Sequence, residues 1–118
     1  MTPTDSLCAK LRRLLDEKIP AGGVDSDTRF LDSEIDDLLQ EADSIYEAAA
    51  NGWTEKAGMY QREMAGLEET MTGQERYKLT SLKDQLEYAL NMAKTYRELA
   101  QKEKGGSFML GVEKPEVL

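Results

Sequence analysis

The sequence predicts an all-α fold: a small helical bundle with one long helix in the C-terminal half and an extended C-terminal tail. Three observations lead to this prediction. Apolar residues recur at steps of three and four along most of the chain, which is the spacing of one helical face. No stretch alternates cleanly between apolar and polar residues over four or more pairs, so no strand is predicted. The length of 118 residues suits a single domain.

The first helix is predicted to begin at Thr2, which would be the N-cap, with Pro3 in the first turn and Asp5 completing a capping box. The segment Pro20-Ala21-Gly22-Gly23 is expected to stop this helix, because proline lacks a backbone donor and glycine permits positive φ. Four leucines fall on one face of the predicted helix: Leu7, Leu11, Leu14 and Leu15.

A polar loop then leads to a second helix. Asp32 or Ser33 is expected to cap this helix, and Phe30 or Leu31 to pack against its first turn. The apolar face continues through Ile35, Leu38, Leu39 and Ala42 and then, after a break, through Ile45, Ala49, Trp53, Tyr60, Met64 and Leu67.

The dipeptide Asn51-Gly52 interrupts the second half of this run and would read as a turn in isolation. Trp53 nevertheless stays in phase with Ile45 and Ala49, so a continuous helix with a weak point is favoured.

The periodicity lapses at residues 71–74, which predicts a connection between helices. A long final helix follows, and its apolar face is widened by Tyr88, Met92 and Leu99, so more than one neighbour is expected. Gly105-Gly106 is predicted to end it, dividing the chain into a helical domain (1–104) and a flexible tail (105–118). The seam of this helix is Leu79, Leu82, Leu86, Ala89, Ala93, Tyr96 and Ala100.

Composition argues against most catalytic chemistry. The chain has no histidine and one cysteine, which excludes a Ser-His-Asp triad, a Cys/His zinc site and a disulfide framework. The segment from Asp25 resembles a calcium loop but has Arg29 at a ligand position and Phe30 where glycine is required. We therefore expect no catalytic residue, no cofactor and no metal, and Cys8 is expected to be a small buried hydrophobe.

No apolar stretch is long enough for a signal peptide or a membrane span, so no membrane association and an intracellular location are expected. The net charge is −8, and residues 31–70 alone carry two basic and eleven acidic groups. This acidic region is a solvated face, a surface for a basic partner, or a surface that repels DNA.

Two features suggest interfaces. Trp53 and Tyr60 are either core residues or aromatic anchors for a partner. The tail residues Phe108, Met109, Leu110 and Val112 would leave apolar surface in water unless they dock on this chain, on another copy or on another protein; disorder in the free state is the competing interpretation.

Three stretches carry a family resemblance. They are Gly22-Gly23-x-x-x-Asp27-Thr28-x-Phe30-x-Asp32-x-Glu34-Ile35, Ala48-Ala49-Ala50-Asn51-Gly52-Trp53-x-x-Lys56-Ala57 and Gly73-x-x-Arg76-x-x-Leu79-Thr80-x-Leu82. In order and spacing they resemble the small head–tail connector (head-completion or adaptor) proteins of tailed bacteriophages, over roughly residues 7–96.

The resemblance implies a structural virion protein without enzymatic activity. Members of this family form a dodecameric ring beneath the portal, extend the DNA channel and complete the head for tail attachment. The expected partners are the portal protein, further copies of the chain, and a stopper or tail-completion protein, while double-stranded DNA passes through without specific binding. The expected location is the virion neck, with host cytoplasm during assembly.

Under this hypothesis two sets of residues are candidates. The acidic residues that face the channel would be Asp32, Glu34, Asp36 and Asp37. The partner or oligomer interface would include Trp53, Tyr60, Arg76, Tyr88, Met92, Phe108, Met109, Leu110 and Val112. The alternative is an acidic helical regulator or DNA mimic that binds a basic partner; a generic coiled-coil scaffold is disfavoured by the short seam.

Overall fold

The computed structural model describes residues 1–70 and 76–109, with side chains described for 1–68 and 76–104. Within these ranges the chain forms four α-helices, one short 3₁₀ turn and no strand, which confirms the all-α prediction. The predicted connection at residues 71–74 lies outside the described residues. The helices are α1 (Asp5–Leu14), α2 (Asp32–Gln40), α3 (Ile45–Thr70) and α4 (Arg76–Met109), and the 3₁₀ turn is Asp25–Asp27.

The two long helices, α3 and α4, pack antiparallel along their length, and α1 and α2 pack against α3 and against each other. Aromatic pairs fasten the long helices at two levels: Tyr46 stacks on Tyr96, and Tyr88 meets Trp53 edge-on with ring centroids 5.5 Å apart. Four residues of the predicted α4 seam are buried and the other three are half-buried, so the seam is confirmed; the buried ones are Leu82, Ala89, Ala93 and Ala100.

Within the described part of the single chain, one of the several neighbours expected for α4 is found. Only α3 packs extensively against α4. Tyr88 and Leu99, which widen the apolar face, remain 52% and 39% exposed. Part of this apolar face therefore stays open to solvent in the single chain.

The start of α1 differs from the prediction. The N-cap is Thr4, whose backbone is extended and whose hydroxyl accepts a hydrogen bond from the Leu7 N–H at 3.1 Å. Pro3 thus precedes the cap instead of lying in the first turn, and Thr2 has no capping role.

The end of α1 also comes earlier than the proline and glycine pair indicated. Asp16 adopts positive φ (57°) directly after the helix. The Asp16 N–H bonds to the Arg13 carbonyl and the Glu17 N–H to the Arg12 carbonyl, which are the two bonds of a Schellman motif. Aspartate takes the left-handed position that glycine usually holds, and the helix ends at Leu14.

At the start of α2 neither Asp32 nor Ser33 is the cap. The cap position is Leu31, whose N–H donates to the Glu34 carboxylate at 2.8 Å. Phe30 is fully buried whereas Leu31 is 44% exposed, so Phe30 makes the predicted apolar contact.

Helix α3 runs through Asn51-Gly52 without a break, as the phase of Trp53 predicted. The glycine has a packing role: a Cβ at Gly52 would lie 2.6 Å and 2.9 Å from the two methyl carbons of Leu15. Because Gly52 lacks a side chain, the end of α1 can approach the backbone of α3.

Helix α4 continues through Gly105 and Gly106 to Met109, so the prediction that this pair ends the helix is wrong. A glycine costs a helix about 1 kcal/mol relative to alanine, but helical φ and ψ remain open to it. The continuous helix of 34 residues extends about 51 Å.

Candidate functional site

Helix α3 holds the C-terminal end of α1 with two buried side chains. The Trp53 Nε1–H donates to the Leu14 carbonyl at 3.0 Å, and the Lys56 ammonium donates to the Leu15 carbonyl at 2.7 Å. Lys56 also pairs with Glu17 at 2.7 Å and lies 4.2 Å from the centre of the Trp53 ring. A cation beside the last carbonyls of a helix complements the negative end of its dipole.

A second buried cation, Arg12, ties the connection between α1 and α2 to the body. Its guanidinium donates to the carbonyls of Glu17 and Phe30, to the Thr28 hydroxyl and to the Asp32 carboxylate, at 2.9–3.1 Å. The partners of Arg12 and Lys56 lie within this chain, so both charges organise the fold.

Trp53 and Tyr60, proposed above as interface anchors, lie in this core. They are 2% and 7% exposed, and the guanidinium of Arg29 covers the Tyr60 ring at 4.5 Å. These two aromatic residues are therefore not available on the surface of the single chain, which leaves the interface to more exposed residues.

The four acidic residues proposed to face a channel do not form one free surface. Asp32 pairs with Arg12 at 2.9 Å, and Glu34 accepts from the Leu31 N–H. Asp36 accepts a hydrogen bond from the Cys8 thiol at 3.2 Å; desolvation by burial, followed by this contact, raises the pKa of Cys8 to about 11. Asp37 is exposed.

A different acidic surface forms where α2 approaches α3. Glu55 on α3 is exposed, yet partial desolvation and the nearby charges of Glu34, Glu41 and Asp37 raise its pKa. We name Glu34, Asp37, Glu41 and Glu55 the acidic patch. Sequence spacing missed Glu55, because only the tertiary packing of α3 on α2 places it in this patch.

Exposed apolar side chains form a line on α4. Tyr77, Tyr88 and Leu99 follow one another at intervals of eleven residues, about three helical turns, and are 83%, 52% and 39% exposed. We name these three residues the apolar row. Met92, beside this row, is half-buried against the core. The apolar pattern of the sequence pointed to Tyr88, Met92 and Leu99 but not to Tyr77.

The opposite flank of α4 is basic. Arg76, an interface candidate, is exposed at the start of the helix. Four more exposed cations follow on the same flank, each near a multiple of the helical repeat. We name the set of Arg76, Lys83, Lys94, Arg97 and Lys104 the basic flank. The spacing of these five cations is present in the sequence, but it identifies an exposed surface only once the buried face of α4 is known.

An open cleft of about 540 Å³ lies between the two long helices, near residues 63–67 and 78–85. Its wall includes the ion pair of Arg29 with Glu63 at 2.6 Å, and its apolar surface comes from Leu67 and Leu82. The cleft has a mixed lining, because Lys78, Ser81 and Gln85 accompany the ion pair and the two leucines.

The remaining interface candidates are in the last part of the chain. Phe108 and Met109 belong to α4, but their side chains lie outside the described residues. Leu110 and Val112 also lie outside them.

Comparisons with protein-family models, with curated proteins and with solved structures found no match. Among the described residues, no group of three or more cysteine or acidic side chains is arranged to hold a metal ion. Within the same ranges, no helix combines the length and apolar character needed to cross a membrane.

Proposed function

We propose that this chain is a non-enzymatic structural subunit that assembles with copies of itself into a ring of the phage neck. In this proposal the ring docks on the portal, extends the DNA channel and completes the head for tail attachment by the next neck protein. Its location is the virion, at the head–tail interface, after assembly in the host cytoplasm.

The observation that carries the proposal is the apolar row on α4. Tyr77 and Leu99 are 22 residues apart, so the row extends about 33 Å along a helix that has one extensive helical partner. We interpret the three exposed side chains of the row as anchors for another protein, because tyrosine is enriched among the residues that carry the energy of an interface. A ring requires such surfaces, since each subunit must offer complementary faces to two neighbours. The sequence resemblance supports the identity of the ring as a phage connector.

Removing the apolar row is expected to abolish attachment to portal-containing, tailless phage heads. The variant carries Tyr77→Ser and Leu99→Ser; Tyr88 is kept because it packs on Trp53. The amount of chain that cosediments with the heads should fall roughly tenfold or more, because exposed anchors carry most of the energy of an interface.

The matched control is Lys102→Ser, an exposed residue of the same helix outside the row. Both variants should keep the helical circular dichroism of the wild type, since exposed substitutions change stability little. Attachment of the row variant at the wild-type level would exclude the row as the assembly surface.

The second candidate function is an acidic regulator or DNA mimic, and the acidic patch favours it. Four carboxylates of α2 and α3 present one sign of charge to solvent, a surface that a basic nucleic-acid-binding protein recognises. A monomer that binds such a protein and ignores portal-containing heads would support this candidate over the connector.

A further inference from the structure

The basic flank of α4 is an unoccupied cationic surface. Within the described residues, Arg76, Lys83 and Lys94 form no ion pair. Lys104 makes a loose contact with Asp43 at 3.7 Å, and Arg97 lies 3.5 Å from the Thr54 hydroxyl. An exposed ion pair of this kind contributes little, so the flank keeps its positive charge available.

The flank also has an apolar centre. Leu90 is 51% exposed and lies seven residues from both Lys83 and Arg97, on the same side of the helix. Lys94 lies four residues after Leu90 and Glu87 three residues before it, so this side of the helix combines an apolar side chain with a charged rim, as protein interfaces do.

The acidic patch supplies the complementary surface. Its carboxylates form no ion pair with any described cation, and desolvation by burial, followed by the like charges of Glu34, Glu41 and Asp37, raises the pKa of Glu55. Leu31, 44% exposed at the start of α2, provides an apolar residue beside Glu34. An apposed cationic surface would relieve this repulsion.

The two surfaces are separate on one chain. Thr54 lies beside Arg97 of the basic flank, whereas the next residue, Glu55, is turned about 100° around α3 and faces the carboxylates of α2. One copy can therefore present its basic flank to one neighbour and its acidic patch to another.

We propose that the basic flank of one copy binds the acidic patch of a second copy. This inference rests on the proposed self-assembly and assigns one further contact between copies, beside the apolar row. The contact joins unlike surfaces, which is the kind of contact that repeats from subunit to subunit. Charge complementarity also sets which faces pair, because the wrong pairing would place like charges together.

Two charge-reversed variants of the full chain test the pairing. The first carries Lys83→Glu and Lys94→Glu; the second carries Asp37→Lys and Glu41→Lys. All four positions are exposed, and Glu41 is the C-cap of α2, where a cation is favourable. The matched control is Lys102→Glu, on another side of α4.

The measurement is sedimentation equilibrium at about 0.1 M and about 1 M NaCl, where the Debye length is about 10 Å and about 3 Å. The wild type and the control should self-associate at the lower salt concentration and weaken at the higher one. Each reversed variant alone should lose at least roughly tenfold in association constant, because two attractive charges on one of the paired surfaces become repulsive. Mixing the two variants should restore association, since each reversed surface then meets its complement.

Three outcomes would overturn the pairing. One is self-association of the reversed variants at the wild-type level, which leaves self-assembly intact but assigns it to other surfaces. The second is a wild type that stays monomeric at the lower salt concentration. In that case the proposed function would have to be tested separately, by measuring whether the chain binds portal rings. The third is binding of a short DNA duplex that Lys83→Glu with Lys94→Glu abolishes without any self-association, which would make the flank a DNA surface.

Discussion

Replacing Lys56 with methionine is expected to lower the free energy of unfolding by about 3–5 kcal/mol. The ammonium is buried, with the Lys56 side chain 4% exposed, and it pairs with a Glu17 carboxylate whose side chain is 11% exposed. Methionine fills a similar volume, but it leaves Glu17 charged without its partner and removes the donor to the Leu15 carbonyl. The cost arises from an uncompensated buried charge, which is larger than the net contribution of the intact pair.

Urea denaturation followed by circular dichroism measures this loss. The control is Lys94→Met, an exposed position without an ion pair in the described part of the chain, which should change stability by at most about 0.5 kcal/mol. The double variant Lys56→Met with Glu17→Gln should recover part of the loss, because the amide is neutral and its oxygen still accepts from the Arg29 N–H. A single variant within about 1 kcal/mol of the wild type would contradict the role of Lys56.

Substituting Gly52 with alanine is expected to destabilise the protein by about 1–3 kcal/mol, although alanine is the better helix former. The new methyl group would lie 2.6 Å from Leu15 Cδ2, and Leu15 is fully buried at the end of α1. Because Leu15 is fully buried in a close-packed core, its side chain can move only by displacing its neighbours, and we expect the contact to push α1 away from α3.

Gly66→Ala on the same helix is the matched control. A Cβ at Gly66 meets nothing within 4 Å, so this variant should gain about 0.5–1 kcal/mol from reduced backbone freedom in the unfolded chain. Thermal melting of the two variants should therefore shift in opposite directions. A gain in melting temperature for both would show that α1 does not pack closely against Gly52.

The core of this fold could be predicted from the sequence because it follows helical periodicity. The α4 seam is buried at Leu82, Ala89, Ala93 and Ala100 as its spacing indicated. Helix α3 continues through Asn51-Gly52, although this dipeptide favours a turn, because Trp53 lies on the same helical face as the apolar residues before it. Burial of one continuous face outweighs the local preference of two residues.

The helix ends could not be predicted equally well, because they depend on bonds that the sequence pattern does not show. Asp16 ends α1 in a conformation that glycine usually adopts. The carbonyls of Leu14 and Leu15 at this helix end accept hydrogen bonds from Trp53 and Lys56, about 40 residues along the chain. At the other end of the molecule, α4 continues through the glycine pair to Met109.

The candidate surface was only partly visible in the sequence. Trp53 and Tyr60 were weighed as core or interface, and their burial assigns them to the core of this chain. The apolar row and the basic flank can be recognised only once the buried face of α4 is known. A spacing of eleven or seven residues shows that residues share one side of a helix, but it does not show whether that side is exposed. Glu55 joins the acidic patch through tertiary packing alone.

The most direct test of self-assembly on the portal is to measure the mass of the complex between the full chain and purified portal rings. We expect a single discrete species in which one portal ring carries a closed set of many copies of this chain. Portal rings that remain bare at excess chain, or that carry isolated copies without a closed set, would contradict it.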